Sequence, residues 1–494
     1  VTAVWEMSIP EVREYAGIHF YDGQLMDMSP EGVSAGLARL RNGSQEPDRH
    51  DEAHLAAIED GLDAAFAVAE MHRWNPLVHL GNLDLACYDR TYAPEAERAA
   101  SRAEHIAKWP DAIEASLRSL DAVPSPVATA LLGAAAGLVT GVEDEHALEA
   151  HARFCERLQH AADHGPPDAT LGSAVLARLI GDGDAMAVDL GRLEERADKE
   201  RARLKERLAE DCERYRPGGG DRPDTVVEEL IRDHPDGEGI YEAARQLIDE
   251  LTTFTIERDL LPELGGSVLV GPAPESRRFA MAMMSWTGAY EPEAPARYYV
   301  NPPDPAWGDD AQEEWLAVFS TTTLPAITAH EVTPGHYAHG RMILRTPESD
   351  VRRSLCSSSF VEGWAHYAEE LLVEAGFRSD DPRFAIGVWI EALVRVTRLA
   401  AALGVHRGTM TVDEATERFQ RDAFLKGPAA RSEAVRATFD PTYGCYTWGK
   451  LEIMALRDEA IARWGSRFSL RRFHEALLAL GAPPLGTMGD ALGT

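Results

Sequence analysis

Apolar residues recur along this chain mostly at steps of three and four, so the pattern predicts a mainly helical protein. The clearest stretch runs from Met186 to Tyr215, where Leu190, Leu193, Ala197, Leu204 and Leu208 share one face between Arg, Glu and Lys. It stops at Arg216-Pro217-Gly218-Gly219-Gly220, read as a loop. A second amphipathic run starts near Thr225, breaks at His234-Pro235-Asp236-Gly237 and resumes from Ile240 to Arg258. The two sides are expected to pair as a long helical hairpin. Val127 to Val142, rich in Ala and Gly, reads as a buried, closely packed helix, too short for a membrane span. Phe360, Trp364, Ala368 and Leu371 or Leu372 mark another buried helical face. Strand signals are confined to Ser267–Val270 and Arg297–Val300, which predict a small sheet flanking the helix that follows. No repeat is evident. The expected organisation is one catalytic unit over 1–494, with a mostly helical lobe over 1–215 and a second lobe over 224–494.

Composition adds two constraints. With 82 acids against 49 bases the formal charge is −33, which disfavours nucleic acid and anionic membrane as partners and draws in cationic substrates. The five cysteines, Cys87, Cys155, Cys212, Cys356 and Cys445, are scattered and form no CxxC pair. That fits a reducing compartment. No basic segment followed by an apolar one opens the sequence, so a cytoplasmic location is expected.

Candidate chemistry sits at Thr328-Ala329-His330-Glu331-Val332-Thr333-Pro334-Gly335-His336. Zinc hydrolases pair two imidazole ligands with a Glu that takes a proton from the metal's water. The usual spacing is four residues, and here it is six. On a straight helix six residues turn by roughly 600°, leaving the two rings about 240° apart. A bulge or kink at Thr333-Pro334-Gly335 is therefore required to return His336 to the face of His330. The third ligand is expected from Phe360-Val361-Glu362-Gly363-Trp364-Ala365-His366-Tyr367-Ala368-Glu369-Glu370, with Glu362 on a largely buried helix. Glu369, two turns on, is placed to accept a hydrogen bond from a ligand imidazole. His339 and His366 are rival ligands, ranked lower. His50-Asp51-Glu52-Ala53-His54 has the four-residue step but polar surroundings, and reads as an exposed helical segment.

These motifs resemble the bacterial domain of unknown function 885 family, whose hallmarks are HExxPGHH and EGWALYAE. The chain has HEVTPGHY and EGWAHYAE. Weaker likenesses lie at Tyr15–Asp22, Tyr290-Glu291-Pro292, Tyr299-Val300-Asn301, Arg398-Leu399, Gly404-Val405-His406 and Tyr446-Thr447-Trp448-Gly449-Lys450. The family is grouped with helical zinc peptidases of the thimet oligopeptidase and angiotensin-converting enzyme type. The resemblance implies a helical ellipsoid with a deep cleft and one zinc ion per chain. It implies His330, His336 and Glu362 as ligands and Glu331 as base. Tyr337, His339 and His366 depart from the family's usual His, Gln and Leu.

The expected activity is hydrolysis of a peptide or amide bond. Tyr446 is the first candidate to donate to the oxyanion and His406 the second, although Tyr446 could equally pack as a core residue. Arg398, Lys450 and Arg457 could hold a substrate carboxylate or pair with the many acids. Tyr299 and Asn301 are further candidates for substrate contact. Two other readings stay open: an amidase for one small metabolite or natural product, and a non-catalytic helical binding protein. Oligomeric state is not encoded in any pattern found.

Overall fold

The computed structural model describes residues 1–43, 45–278 and 280–493. Helices dominate. Arg49–Asp63 forms α1, Ser125–Gly137 α2 and Glu145–His164 α3, and the amphipathic stretch forms α4 over Leu190–Tyr215. Asp189 caps α4 by accepting from the backbone of Gly191 and Arg192. Then come α5 (Gly239–Glu257), α6 (Leu324–Glu331), α7 (His336–Ile343), α8 (Ser358–Ala375), α9 (Arg383–His406) and α10 (Cys445–Trp464).

The expected hairpin does not form. Helix α4 lies along α9, while α5 packs on α6 and the first strand. The reason is burial. Helix α9 is apolar around most of its surface, so it needs partners on several sides and takes α4 as one of them. The α2 segment buries only one face, through Val127, Ala128, Leu131 and Ala135, and that face meets α3. The segment around His50 and His54 is also corrected. It is helical, but His50, Asp51 and His54 are buried, and Asp51 accepts from Ser349 and Arg352.

Both expected strands are present and a third joins them. β1 (Val268–Gly271) and β2 (Ala282–Ser285) flank β3 (Ala296–Val300), parallel on the first side and antiparallel on the other. The sheet abuts α6 and α7 through β2. β2 reads Ala-Met-Met-Ser, without the β-branched and aromatic residues that betray a strand.

Apolar side chains from Leu176 to Leu492 make one continuous core around α6–α10. A second cluster spans Trp74 to Ala169. Within the first, α8 and α10 cross with almost no side chain between them. A Cβ on Gly363 would lie 2.5 Å from the backbone of Gly449, and one on Gly449 would lie 1.9 Å from the Ser359 carbonyl. Only glycine at both positions allows the approach.

Candidate metal centre

The six-residue spacing between His330 and His336 is absorbed by a widened turn. Helix α6 ends at Glu331 and α7 starts at His336. Two hydrogen bonds span the gap, Gly335 N–H to Ala329 O at 3.0 Å and Ala338 N–H to Val332 O at 3.1 Å. Each reaches back six residues where an α-helix reaches back four. The turn thus holds the two additional residues, and His336 returns to the side of His330. Gly335 is dictated by contact, because a Cβ there would sit 1.8 Å from the carbonyl oxygen of His330. Thr333-Pro334 is a cis peptide. The Pro334 carbonyl accepts from Trp364 Nε1 at 3.0 Å, which fastens the turn to α8.

Across this turn stands Glu362, in the second turn of α8, a helix capped by Ser357. Its Oε2 lies 3.4 Å from His330 Nε2 and 3.3 Å from His336 Nε2. Candidate ligand atoms of the three residues all fall within 4.8 Å of one another. These are not hydrogen bonds, since Glu362 Oε2 is buried without a partner. The spacing suits a shared ion. Ligands bonded to a tetrahedral zinc at about 2.0–2.1 Å are about 3.3–3.4 Å apart, a tetrahedron's edge being about 1.6 times its radius. His336 Nδ1 and Glu331 Oε2 are also buried without partners. The donor set therefore fits a divalent metal of the zinc type.

The electrostatics point the same way. Burial and Arg395 work to lower the His330 pKa, but Glu362 and Glu369 outweigh them and raise it to about 9. Burial works to raise Glu362, yet His336 and His330 hold it well below the ordinary carboxylate range. Glu331 is raised by burial, with His330 and His336 pulling it partly back.

Glu369 lies fully buried two turns beyond Glu362 and accepts from His330 Nδ1 at 2.7 Å. That bond orients the ring and leaves Nε2 facing Glu362. Arg395 of α9 stands 3.3 Å from the same Glu369 oxygen and donates to Glu391 at 3.1 Å. Tyr446, at the start of α10, stacks near His330 with ring centroids 6.0 Å apart. The guanidinium groups of Arg395 and Arg398 lie 5.9 and 5.1 Å from the Tyr446 ring centre. Burial and Glu362 raise its phenol well above the ordinary value, so it stays a neutral donor.

Other candidates are placed elsewhere. His406 is buried at the far end of α9, about 16 Å along the helix from Arg395, and bonds to the Ala169 carbonyl at 3.1 Å. Lys450 is fully buried between Glu200 at 3.0 Å and Glu370 at 2.5 Å. Arg457 pairs with Glu374 and donates to the Tyr367 hydroxyl. Arg398 stands beside Tyr446, but Glu433 takes it up through two bonds of 2.7 Å. Asn301 holds a loop together, accepting from Ala273 N–H and donating to the Ala280 carbonyl. Tyr299 is buried within β3. His406, Lys450, Arg457, Arg398 and Asn301 are thus taken up by internal partners, and of these Arg398 stands beside Tyr446. His339 faces away and bonds to Gly481 O at 2.9 Å. His366 is buried 3.6 Å from Glu369, and burial followed by Lys450 lowers its pKa to about 4.

Several neighbours of the cluster carry no motif. Arg395 and Glu391 are one turn apart on α9, and a charged pair inside so apolar a helix is the signal that could have found them. Trp286 lies 6.2 Å from the His336 ring and 5.5 Å from Tyr15, and donates to the Tyr15 carbonyl at 2.9 Å. Nothing local in the sequence marks that contact.

Residues 10–492 match the family described as "Bacterial protein of unknown function (DUF885)". The chain belongs to this family. DUF885 carries no assigned reaction in that description. Two solved structures share the fold. One is described as "a putative lipoprotein of unknown function" from Shewanella oneidensis, with TM-score 0.78 and 20% identity, covering 100% of this chain and 98% of that one. The other is "the putative lipoprotein from Colwellia psychrerythraea", with TM-score 0.78 and 16% identity, covering 99% and 96%. Comparison with curated proteins finds no match. The cytoplasmic expectation is corrected by these neighbours, which are described as putative lipoproteins, a class held at or beyond a membrane. Neither the scattered cysteines nor the pattern at the start of the sequence, on which that expectation rested, fixes a compartment. Among the described residues no helix is long and apolar enough to cross a membrane.

Proposed function

We propose that this DUF885 protein is a zinc-dependent hydrolase that cleaves a peptide or amide bond at His330, His336 and Glu362. The observation that carries the reading is the convergence of two imidazole nitrogens and one carboxylate oxygen with an unpartnered Glu331 beside them. When bound there, zinc would polarise the scissile carbonyl and acidify water. His330, His336 and Glu362 would hold it. Glu369 keeps the His330 ring in the orientation that presents Nε2. Glu331, raised by burial and with a free oxygen, is suited to take a proton from water and return it to the leaving nitrogen. Tyr446 stays protonated beside His330 and can donate to the developing oxyanion. A purely structural metal site would have no use for Glu331.

Metal analysis of the purified protein, with a peptide-library digest run with and without chelator, tests this. One zinc per chain and chelator-sensitive cleavage are expected. Glu331→Gln should keep the metal and lose on the order of 10²–10⁴-fold in kcat/KM. A protein that binds no metal, or a variant that cleaves as well as the parent, would end the reading.

A further inference from the structure

Helix α9 is apolar for most of its length, yet it carries one guanidinium deep into the region of the metal centre. Arg395 is 5% exposed. A cation at that depth destabilises the fold unless carboxylates meet it, and two do. One terminal nitrogen donates to Glu391, one turn earlier on α9, at 3.1 Å. The other stands 3.3 Å from Oε1 of Glu369 on α8. That same oxygen accepts from His330 Nδ1 at 2.7 Å.

Glu369 has little else to fix it. It is fully buried, and its second oxygen has no partner. His366 lies 3.6 Å from Oε1, beyond hydrogen-bonding reach, and neither of its ring nitrogens is bonded. Among the described residues, Arg395 is the only arginine or lysine paired with this carboxylate. The direction of Oε1 therefore depends on two partners, His330 and Arg395, and of these only Arg395 is a permanent cation. A guanidinium is planar and always charged, so with one nitrogen held by Glu391 it offers the other to Glu369 from a fixed place. Arg398, one turn further along α9, provides the contrast. It too lies over Tyr446, with its guanidinium 5.1 Å from the ring centre, but its two bonds go to Glu433.

We infer that Arg395 is a positioning residue of the metal centre. Buttressed by Glu391, it fixes the Glu369 carboxylate, and through it the ring orientation that turns His330 Nε2 toward the ion. The inference rests on the metal-binding part of the proposed function and is independent of hydrolysis. The sign of the effect separates this role from bulk electrostatics. A cation near a metal ion repels it, so a guanidinium acting through its charge alone would weaken metal binding, and its removal would strengthen it. A guanidinium acting through Glu369 does the reverse.

The test is a double-mutant cycle on zinc affinity, measured on the whole chain by competition with a chelating dye. Arg395→Gln keeps a polar side chain but neither the charge nor the fork. It should weaken zinc binding by about tenfold, the low end for an outer partner of a metal ligand. Added to Glu369→Gln, which leaves no carboxylate for the guanidinium to fix, the same substitution should cause no further loss. A merely structural arginine would loosen the site equally in both backgrounds. Arg398→Gln, which removes a cation without touching Glu369, should not weaken zinc binding. Should Arg395→Gln fail to fold, Glu391→Gln, at a position partly open to solvent, takes its place in the cycle with the same expected pattern. Zinc binding unchanged or tightened by the substitution, a loss that persists in Glu369→Gln, or an equal loss in Arg398→Gln would overturn the inference and leave the hydrolase reading standing. The expected cycle in a protein that cleaves neither peptides nor amides would do the reverse. A parent protein that binds no zinc would end both.

Discussion

Helices α8 and α10 each serve two buried charge clusters, and the two differ in one respect. In the first, Glu370 from α8 and Lys450 from α10 meet Arg203 and Glu200 from α4. Every charge there has a partner: Arg203 binds both carboxylates at 2.7–2.8 Å, and Lys450 bridges them. In the second, Glu362 and Glu369 from α8 and Tyr446 from α10 meet His330 and His336, and Glu331, Glu362 and His336 each keep an atom with no partner. A closed cluster holds helices together. An open one, at the same depth and on the same helices, has capacity left for something the chain does not supply. Burial of charge does not distinguish the two; completeness of pairing does.

The comparison can be broken from the closed side first. Lys450→Met should cost about 3–5 kcal/mol in urea unfolding, because Glu200 and Glu370 then face each other with only Arg203 between them. Metal content should not change. If stability is unaffected, the closed cluster is not structural and the contrast fails.

From the open side, Gly335→Ala should do the opposite. Its added carbon meets the His330 carbonyl, so the turn must widen and carry His336 away. Metal affinity should fall by more than about 100-fold, exceeding the cost of losing an outer partner, against about 1–3 kcal/mol of stability for overpacking. Zinc titration against a chelating dye reads the first and urea unfolding the second. Glu369→Gln is milder. It removes the charge behind His330 but not the ligand, and should weaken metal binding by about 10–100-fold.

The smallest effect lies outside both clusters. His474, bonded to Leu260 O and the Tyr367 hydroxyl, has its pKa lowered by burial from 6.5 to about 4. It stays neutral in the fold and takes up a proton on unfolding between those values. Its contribution is therefore present above pH 6.5 and is lost as pH falls toward 4. His474→Gln should flatten the dependence of unfolding free energy on pH by about 1.4 kcal/mol per pH unit between pH 6 and 5. An unchanged slope would show that the ring titrates normally.

The sequence made some of this legible and not the rest, for reasons tied to particular residues. His330, Glu331, His336 and Glu362 were readable because their chemistry is local: a His-Glu pair, a Pro-Gly break and an acid on an apolar helix face. The break was needed on geometric grounds alone. Lys450, Arg457 and Arg398 were not readable as pairing residues, because their acids stand 35 to 250 positions away or across a helix pair. A cation beside a motif looks the same in sequence whether its partner is substrate or a distant glutamate. His406 misled in the same way, being polar and near a motif but turned toward Ala169. β2 was missed because two methionines and an alanine carry no strand signal, and α4 chose α9 because burial demand outweighed chain proximity.

The glycine-to-glycine crossing of α8 and α10 has a mechanical consequence. Where backbones touch directly there are no rotamers to rearrange, so Glu362 and Tyr446 are carried on one rigid block. The Tyr15 side is joined differently, its ring resting on Trp286 and its carbonyl accepting from the Trp286 indole, so a substitution at that contact can be taken up by side-chain rotation, which the glycine crossing does not allow.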